Sequence, residues 1–185
     1  MKRRTWLQGV GAFLGGTIAG RAGAAPPFAI SANPSDLQAN WQALVPPFAK
    51  LPTPADRLSL TDAEWRKRLT PAQYYVLREG GTERAGSSPL DEEKRAGVFV
   101  CAGCDLPLFT SEMKYDSGTG WPSFFTTIPA VFQMKKDYLL LFPRIEYHCA
   151  RCAGHHGHVF DDGPEPTRQR WCNNGVALKF LPKDG

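Results

Sequence analysis

The chain has 185 residues and a formal net charge of +4 at pH 7. This length suits one domain of ordinary size. The first 25 residues contain four basic and no acidic side chains, so the remainder carries 18 basic residues against 18 acidic ones. A formally neutral domain has no strong electrostatic attraction for nucleic acid or anionic lipid, and the sequence therefore argues against both as partners.

Residues 1–25 are predicted to be a secretory signal peptide. A basic start, Lys2-Arg3-Arg4, precedes a mildly apolar stretch from Trp6 to Gly20, and small residues before Pro26 suit a signal peptidase. The stretch is too short and too rich in glycine for a transmembrane helix. The adjacent arginines resemble a twin-arginine signal, so we expect periplasmic export by that route and no stable membrane association after cleavage. The alternative is a frayed basic N-terminus.

Residues 26–57 contain many prolines and alanines and are predicted to be a linker, with a short helix around Asp36–Leu44. The compact domain is expected to span residues 58–185. The sequence has no low-complexity tract and no internal repeat apart from two C-x-x-C pairs.

Two helices are predicted at the start of this domain. Thr61 and Thr70 are each followed three residues later by Glu or Gln, which is the pattern of a capping box. The first helix should run from residue 62 to about 69, and the second from residue 71 to about 78. Gly80-Gly81 should end the second helix.

After Pro89 the pattern changes to short apolar runs separated by Gly, Pro and Asp turns. The runs are Val98–Val100, Tyr138–Phe142, the alternating Ile145–Cys149, Val159–Phe160 and Val176–Phe180. They predict a mainly β domain of antiparallel strands behind a small helical N-terminal part.

Five cysteines divide into two C-x-x-C pairs and one isolated residue. The paired cysteines are Cys101, Cys104, Cys149 and Cys152. Each pair places two thiolates on one tight knuckle, and four thiolates suit tetrahedral zinc, so the spacing predicts one structural zinc per chain. His148 could substitute as a ligand, although four sulfurs suffice. Disulfides or a redox-active C-x-x-C remain the alternative, because the periplasm is oxidising; transport of a folded protein would let zinc load first.

The isolated cysteine, Cys172, is a candidate nucleophile. All four histidines lie between residues 148 and 158, and histidine exchanges protons near neutral pH. If the residues around Cys172 form a strand, Arg170 and Asn174 share its face. Cationic and hydrogen-bonding neighbours favour a thiolate, so we expect a lowered pKa and fast alkylation near neutral pH. The alternative is an inert cysteine buried in a strand.

A further segment places glycines around Trp121 and a proline directly after it, which would suit a pocket wall, although a core position fits a lone tryptophan better. Together the segments resemble the type B methionine sulfoxide reductases from about residue 60 to 180. The motifs that carry the resemblance are Leu69–Tyr75, Gly81–Ala85, both cysteine pairs, Gly120–Phe124, Gly157–Phe160 and Arg170–Cys172.

The resemblance implies a fold of two antiparallel sheets with a structural zinc, and reduction of the R epimer of methionine sulfoxide in oxidised proteins. Cys172 would attack the sulfoxide and become a sulfenic acid. Trp121 and Phe160 would contact the substrate, and Arg170 would favour the thiolate. Residues that would orient the sulfoxide or assist proton transfer are His155, His158 and Asn174, with Asp162 supporting the histidines.

The sequence departs from the common family pattern at four positions. Thr119 stands where many members carry a resolving cysteine, so the resemblance implies a thioredoxin-like external reductant. Trp171 replaces a usual tyrosine and Gly175 a frequent serine. His156 replaces a usual leucine and fits an exposed position. The competing hypothesis is a zinc-ribbon-like binding module without catalysis, which would not require Cys172.

Overall fold

The computed structural model describes residues 32–137 and 143–184, so the predicted signal peptide and the apolar run at 138–142 lie outside the described residues. The α-helices are α1 (Pro34–Asn40), α2 (Asp62–Arg68) and α3 (Pro71–Glu79). The strands are β1 (Gly97–Cys101), β2 (Pro107–Thr110), β3 (Lys114–Tyr115), β4 (Ser123–Phe124), β5 (Phe132–Asp137), β6 (Arg144–Cys149), β7 (His155–Phe160), β8 (Arg170–Asn173) and β9 (Leu178–Pro182). None of the helices in this part of the chain has the length and hydropathy needed to span a bilayer.

Helices α2 and α3 begin at the two predicted capping boxes. The side chains of Thr61 and Thr70 accept hydrogen bonds from the backbone three residues on, and Glu64 and Gln73 bond back. Gly80 ends α3 in the left-handed conformation, with φ of 71°, which glycine adopts without a steric penalty. The predicted helices are therefore confirmed at both ends.

The segment predicted to be a linker packs against the domain over its described part. A helix forms at α1 and continues as a 3₁₀ turn to Leu44, as expected, and Leu44 is buried in the core. Gln38 Nε2 donates to Thr126 Oγ1 at 2.9 Å, and an Arg57 guanidinium nitrogen donates to the Ala150 carbonyl oxygen at 2.8 Å. The boundary at residue 58 remains a prediction.

The strands form two antiparallel sheets, as predicted. One has the order β2-β1-β9, and the other has the order β3-β4-β8-β7-β6-β5. The predicted runs around residues 98–100, 145–149 and 159–160 lie in β1, β6 and β7. The run at 176–180 divides into a 3₁₀ turn and the start of β9.

Aromatic side chains fill the space between the two sheets. Phe109 of the small sheet stacks on Phe124 of the large sheet, with ring centroids 3.9 Å apart. Phe132 and Trp171 contact Tyr147 at centroid distances of 4.7 and 5.0 Å. Because successive side chains of a strand alternate between faces, the residues next to these inward ones point to the outer face of the large sheet.

The register of the large sheet places Cys172 among polar neighbours on that outer face. Cys172 has one Cα partner on each neighbouring strand: Ser123 on β4 and His158 on β7. His158 is in turn paired with Glu146 on β6. A Cβ at Gly157 would clash with the Cys172 carbonyl oxygen. Glycine at this position therefore permits β7 to lie directly against the strand that carries Cys172.

Candidate active site and cysteine cluster

The four paired cysteines converge on one buried point between the sheets. The Sγ atoms of Cys101 and Cys152 are 3.7 Å apart, and those of Cys104 and Cys149 are 3.5 Å apart. All four thiols are free and buried. Disulfide bonding requires about 2.05 Å between sulfurs, whereas two sulfurs on one tetrahedral metal ion lie about 3.8 Å apart. The donor set and its spacing therefore fit one metal ion.

Three arginines surround the cysteine knuckles and donate to their carbonyl oxygens. Arg68 donates to Gly103 at 2.6 Å, Arg78 to Cys152 at 2.9 Å and Arg151 to Cys104 at 2.8 Å. A divalent ion held by four thiolates carries a net negative charge, so these cations would offset it. His148 takes no part in this cluster.

His156 is fully buried beside the cluster, so the expectation of an exposed position is wrong. Burial lowers its pKa to about 3, and the ring is neutral at pH 7. Its Nε2 lies 3.4 Å from Cys101 Sγ, and its Nδ1 lies 3.3 Å from Asn173 Oδ1. Tyr147 Oη is 3.0 Å from the same Asn173 oxygen and from the Cys172 carbonyl oxygen. A buried polar chain thus connects the cysteine cluster to the backbone of Cys172.

A cavity of about 130 Å³ opens beside the isolated cysteine. Its lining comprises Thr82, Trp121, Arg144, Gly157, His158, Phe160, Cys172, Asn173 and Asn174. The structure therefore brings five of the predicted site residues together: the thiol, one histidine, one amide and both aromatic side chains. Thr82 and Arg144 were not singled out from the sequence as site residues.

Arg170 and Asp162 lie behind the cavity as an ion pair. Arg170 Nε and one terminal nitrogen each donate to a different oxygen of Asp162 at 2.8 Å, and the guanidinium lies 4.3 Å from the centroid of the Phe160 ring. Asp162 was expected to support the histidines, but it holds the arginine instead. The aspartate therefore fixes the cation that lies next to Cys172.

The expectation of a lowered pKa at Cys172 is wrong. Burial raises the pKa of the Cys172 thiol, because a thiolate loses more hydration than a thiol. The charge of Arg170 and a hydrogen bond from it act in the opposite direction but are smaller. The resting residue is therefore a protonated thiol at neutral pH.

Each of the two predicted histidines has its own carboxylate partner. His158 Nε2 lies 3.0 Å from Asp137 Oδ2, which also accepts from Arg144 at 2.7 Å. His155 Nδ1 lies 2.5 Å from Glu146 Oε1. Burial lowers the pKa of both rings, which keeps them neutral at pH 7. His155 does not line the cavity; its ring centroid is 5.6 Å from that of His158.

Glu83 organises the cavity wall, and sequence reasoning missed it. Its carboxylate accepts from the backbone nitrogens of Gly175 at 2.5 Å and Val176 at 2.9 Å. Its backbone nitrogen donates to Asn174 Oδ1, and its carbonyl oxygen accepts from Trp121 Nε1. Burial raises the pKa of this carboxyl. The motif around Glu83 was visible in the sequence, but its partners lie 38 residues away at Trp121 and 91 to 93 residues away at Asn174, Gly175 and Val176.

Thr119 lies in a short chain of hydroxyl groups that leads towards Cys172. Its Oγ1 is 2.8 Å from Ser117 Oγ, which is 2.7 Å from Ser123 Oγ. Ser123 is the β4 partner of Cys172. The position expected for a resolving cysteine therefore lies near the isolated thiol, occupied by a hydroxyl.

Comparison with known proteins agrees with this geometry. Residues 69–182 match the SelR domain. The chain is 52% identical over 123 residues to peptide methionine sulfoxide reductase B1, chloroplastic, of Arabidopsis thaliana, a match that covers 66% of this chain and 61% of the relative. It is 49% identical over 140 residues to peptide methionine sulfoxide reductase MsrB of Bradyrhizobium diazoefficiens, covering 74% of this chain and 99% of the relative.

A third relative, peptide methionine sulfoxide reductase MsrB of Methanosarcina barkeri, is 50% identical over 125 residues, which cover 67% of this chain and 88% of that protein. The matched part spans about three fifths of the length of the chloroplast relatives from Arabidopsis and rice. The SelR match includes both cysteine pairs, the cavity and Cys172. This chain therefore belongs to the SelR-domain family, the type B methionine sulfoxide reductases.

Proposed function

We propose that this chain reduces the R epimer of methionine sulfoxide in proteins to methionine, through a sulfenic acid on Cys172. The observation that carries this proposal is the position of the one thiol outside the cysteine cluster. Cys172 lies in a small cavity with an indole, an imidazole and an amide, next to a cation. The names of the relatives support the same activity. A binding module without catalysis would give this thiol no role.

Substrate binding is assigned to the apolar and polar sides of the cavity. The rings of Trp121 and Phe160 would contact the methyl group and thioether carbons of the substrate. Glu83 holds the indole through its carbonyl oxygen and holds Asn174 through its backbone nitrogen. The Asn174 amide and the His158 ring would then face the sulfoxide oxygen from fixed positions, which reduces the entropy cost of orienting it.

The chemistry is a two-electron transfer between sulfur atoms. The Cys172 sulfur attacks the sulfoxide sulfur and forms an S–S bond, while the sulfoxide oxygen takes up a proton. The resulting hydroxyl passes to Cys172 as the S–O bond of the substrate and the new S–S bond break, and the electron pair of the S–S bond stays on the methionine sulfur. Methionine leaves and Cys172 becomes a sulfenic acid, so the cysteine loses the two electrons that the substrate gains. Protonation is needed because a bare sulfoxide oxygen is a poor leaving group.

The raised pKa of Cys172 means that the thiol must lose its proton within the substrate complex. Neutral His158 can accept this proton and return it to the sulfoxide oxygen, since the ring lies opposite Cys172 in the sheet. Arg170, fixed by Asp162, would stabilise the thiolate as it forms. His155 lies outside the cavity and would assist this proton transfer through its neighbour His158.

Regeneration requires an external dithiol. With a hydroxyl at Thr119 and four thiols in the cluster, no free internal cysteine remains to attack the sulfenic acid. A thioredoxin-like partner would form a mixed disulfide with Cys172 and release water, and its second thiol would restore Cys172.

We propose zinc as the metal of the four-cysteine cluster, because a set of four thiolates in tetrahedral spacing is the typical structural zinc site. Zinc bound there would supply structure, with no open position for substrate. The His156 Nε2 would lie beside the Cys101 sulfur, and the three arginines would offset the charge. The twin-arginine-like start leads us to propose export to the periplasm and repair of exported proteins there.

The first prediction concerns the nucleophile. Cys172→Ser should lower reduction of an R-sulfoxide peptide by more than about a thousandfold, because a hydroxyl cannot supply the attacking thiolate. The fold should survive, since this residue lies on the outer face of the sheet and the change is small. Turnover and the thermal unfolding midpoint would be measured together. Substantial activity in a folded Cys172→Ser protein would refute the assignment.

The second prediction concerns pH. Because burial raises the pKa of Cys172, its thiolate fraction at pH 7 is small, and iodoacetamide labelling of the substrate-free protein should be slow there and still rise above pH 9. Arg170→Gln should raise this pKa further and slow labelling at every pH below it. Arg168→Gln, which removes an exposed charge two residues away, is the matched control. Fast labelling with a midpoint below pH 8 would contradict this account.

The third prediction concerns the metal. Elemental analysis should find one zinc per chain, and Cys149→Ser should lose it and destabilise the domain by more than about 4 kcal/mol, as loss of a structural metal does. Cys172→Ser is the control, because it removes a thiol but should keep the metal. A metal-free wild type with two disulfides, or an unchanged unfolding midpoint in Cys149→Ser, would be inconsistent with a zinc site.

A further inference from the structure

A second group of metal-ligating side chains lies outside the cysteine cluster, on the outer face of the large sheet. His148 on β6 and His155 on β7 are Cα partners. Glu146 lies two residues before His148 and therefore on the same face of the strand. The pairing of β6 with β7 brings two imidazoles and one carboxylate together.

The donor atoms of this group are close enough to share one ion. Each carboxylate oxygen of Glu146 faces a nitrogen of one ring: Oε1 lies 2.5 Å from His155 Nδ1, and Oε2 lies 3.2 Å from His148 Nε2. One ligand atom from each of the three residues lies within 4.8 Å of the others. Two ligands of one zinc-like ion, each bound at about 2.1 Å, are at most about 4.2 Å apart, so small side-chain rotations suffice.

Hydrogen bonds among the described residues leave a ring nitrogen of both His148 and His155 without a partner. His148 Nε2 is buried and, among the described residues, has no aligned hydrogen-bond partner, although Glu146 is near it. His155 Nε2 is likewise buried without a partner in this part of the chain, and that side chain is only 4% exposed. Buried imidazole nitrogens without partners are costly, and coordination of an ion at His148 would remove that cost there.

We propose that Glu146, His148 and His155 form a second metal site that takes a divalent transition-metal ion. Two imidazoles and one carboxylate suit Zn²⁺, Co²⁺, Ni²⁺ or Cu²⁺, whereas Mg²⁺ and Ca²⁺ prefer sites made of oxygen atoms alone. The ion would enter beside His148, whose side chain is 24% exposed. Because neighbouring residues of a strand point to opposite faces, His148 and Cys149 serve two separate sites.

Occupation of this site would slow the proposed reductase reaction. The ion would take the His155 nitrogen and the Glu146 carboxylate that now bind each other, and the His155 ring lies 5.6 Å from the ring of His158 in the cavity. This consequence rests on the proposed function, whereas the binding itself does not. The site would thus respond to excess metal with reversible inhibition.

Cobalt binding tests the proposal without reference to activity. Co²⁺ is added to the full chain with its cysteine cluster already loaded, in the Cys172→Ser background, which removes the one thiol outside the cluster. We expect one equivalent to bind with visible absorption of nitrogen and oxygen ligation and without a thiolate-to-cobalt charge-transfer band. His148→Gln should weaken this binding at least about tenfold, since even outer-shell partners of metal ligands contribute that much.

Gln133→Ala is the matched control, because Gln133 is the exposed β5 partner of His148 and lies beside the group without being a donor in it. It should bind Co²⁺ as the parent does, and His148→Gln should unfold at the parent's temperature. Absence of binding, equal affinity in His148→Gln, or a thiolate band from the added ion would overturn the proposal. With Cys172 intact, inhibition of turnover by Zn²⁺ that is relieved in His148→Gln would connect the metal site to the reductase reaction. Metal binding without such inhibition would refute the proposed slowing of the reaction and leave the metal site standing.

Discussion

The cluster of four sulfurs is the constraint on which the rest of this domain depends. It joins the end of β1, in the small sheet, to the end of β6, in the large sheet, and connects residues 51 and 45 positions apart in the chain. Closing such long loops costs entropy, which metal coordination would offset. Strand β7 begins three residues after Cys152 and pairs with β8, which carries Cys172. The position of Cys172 thus follows from the cluster.

Burial both limits the size of the group that can reach Cys172 and raises the pKa of its thiol. The cavity is small and partly aromatic, which suits a thioether carrying one oxygen, but the same burial raises the pKa of Cys172 above that of a free cysteine. Arg170 counteracts this effect only in part. A thiol that is protonated at rest is oxidised more slowly, because the thiolate is the reactive form. Reactivity would then depend on transfer of the Cys172 proton to His158 in the complex with the substrate.

Local features of the fold were predictable from the sequence, because their causes are local. The capping boxes at Thr61 and Thr70, the turn at Gly80 and the C-x-x-C knuckles each depend on a few adjacent residues. The carboxylate partners of the histidines, the role of Glu83 and the burial of His156 depend on strands that meet across long sequence distances. The raised pKa of Cys172 was missed because the sequence displays the charge of Arg170 but not the loss of water around the thiol.

The most direct test of the central claim is a single turnover without reductant, followed by mass spectrometry of the protein. One equivalent of an R-sulfoxide peptide should yield one equivalent of the methionine peptide, and the chain should gain one oxygen atom, located at Cys172. The S epimer should be left unreacted. A disulfide between Cys172 and Cys101, Cys104, Cys149 or Cys152 would contradict the account, because a cluster cysteine would then be the resolving thiol.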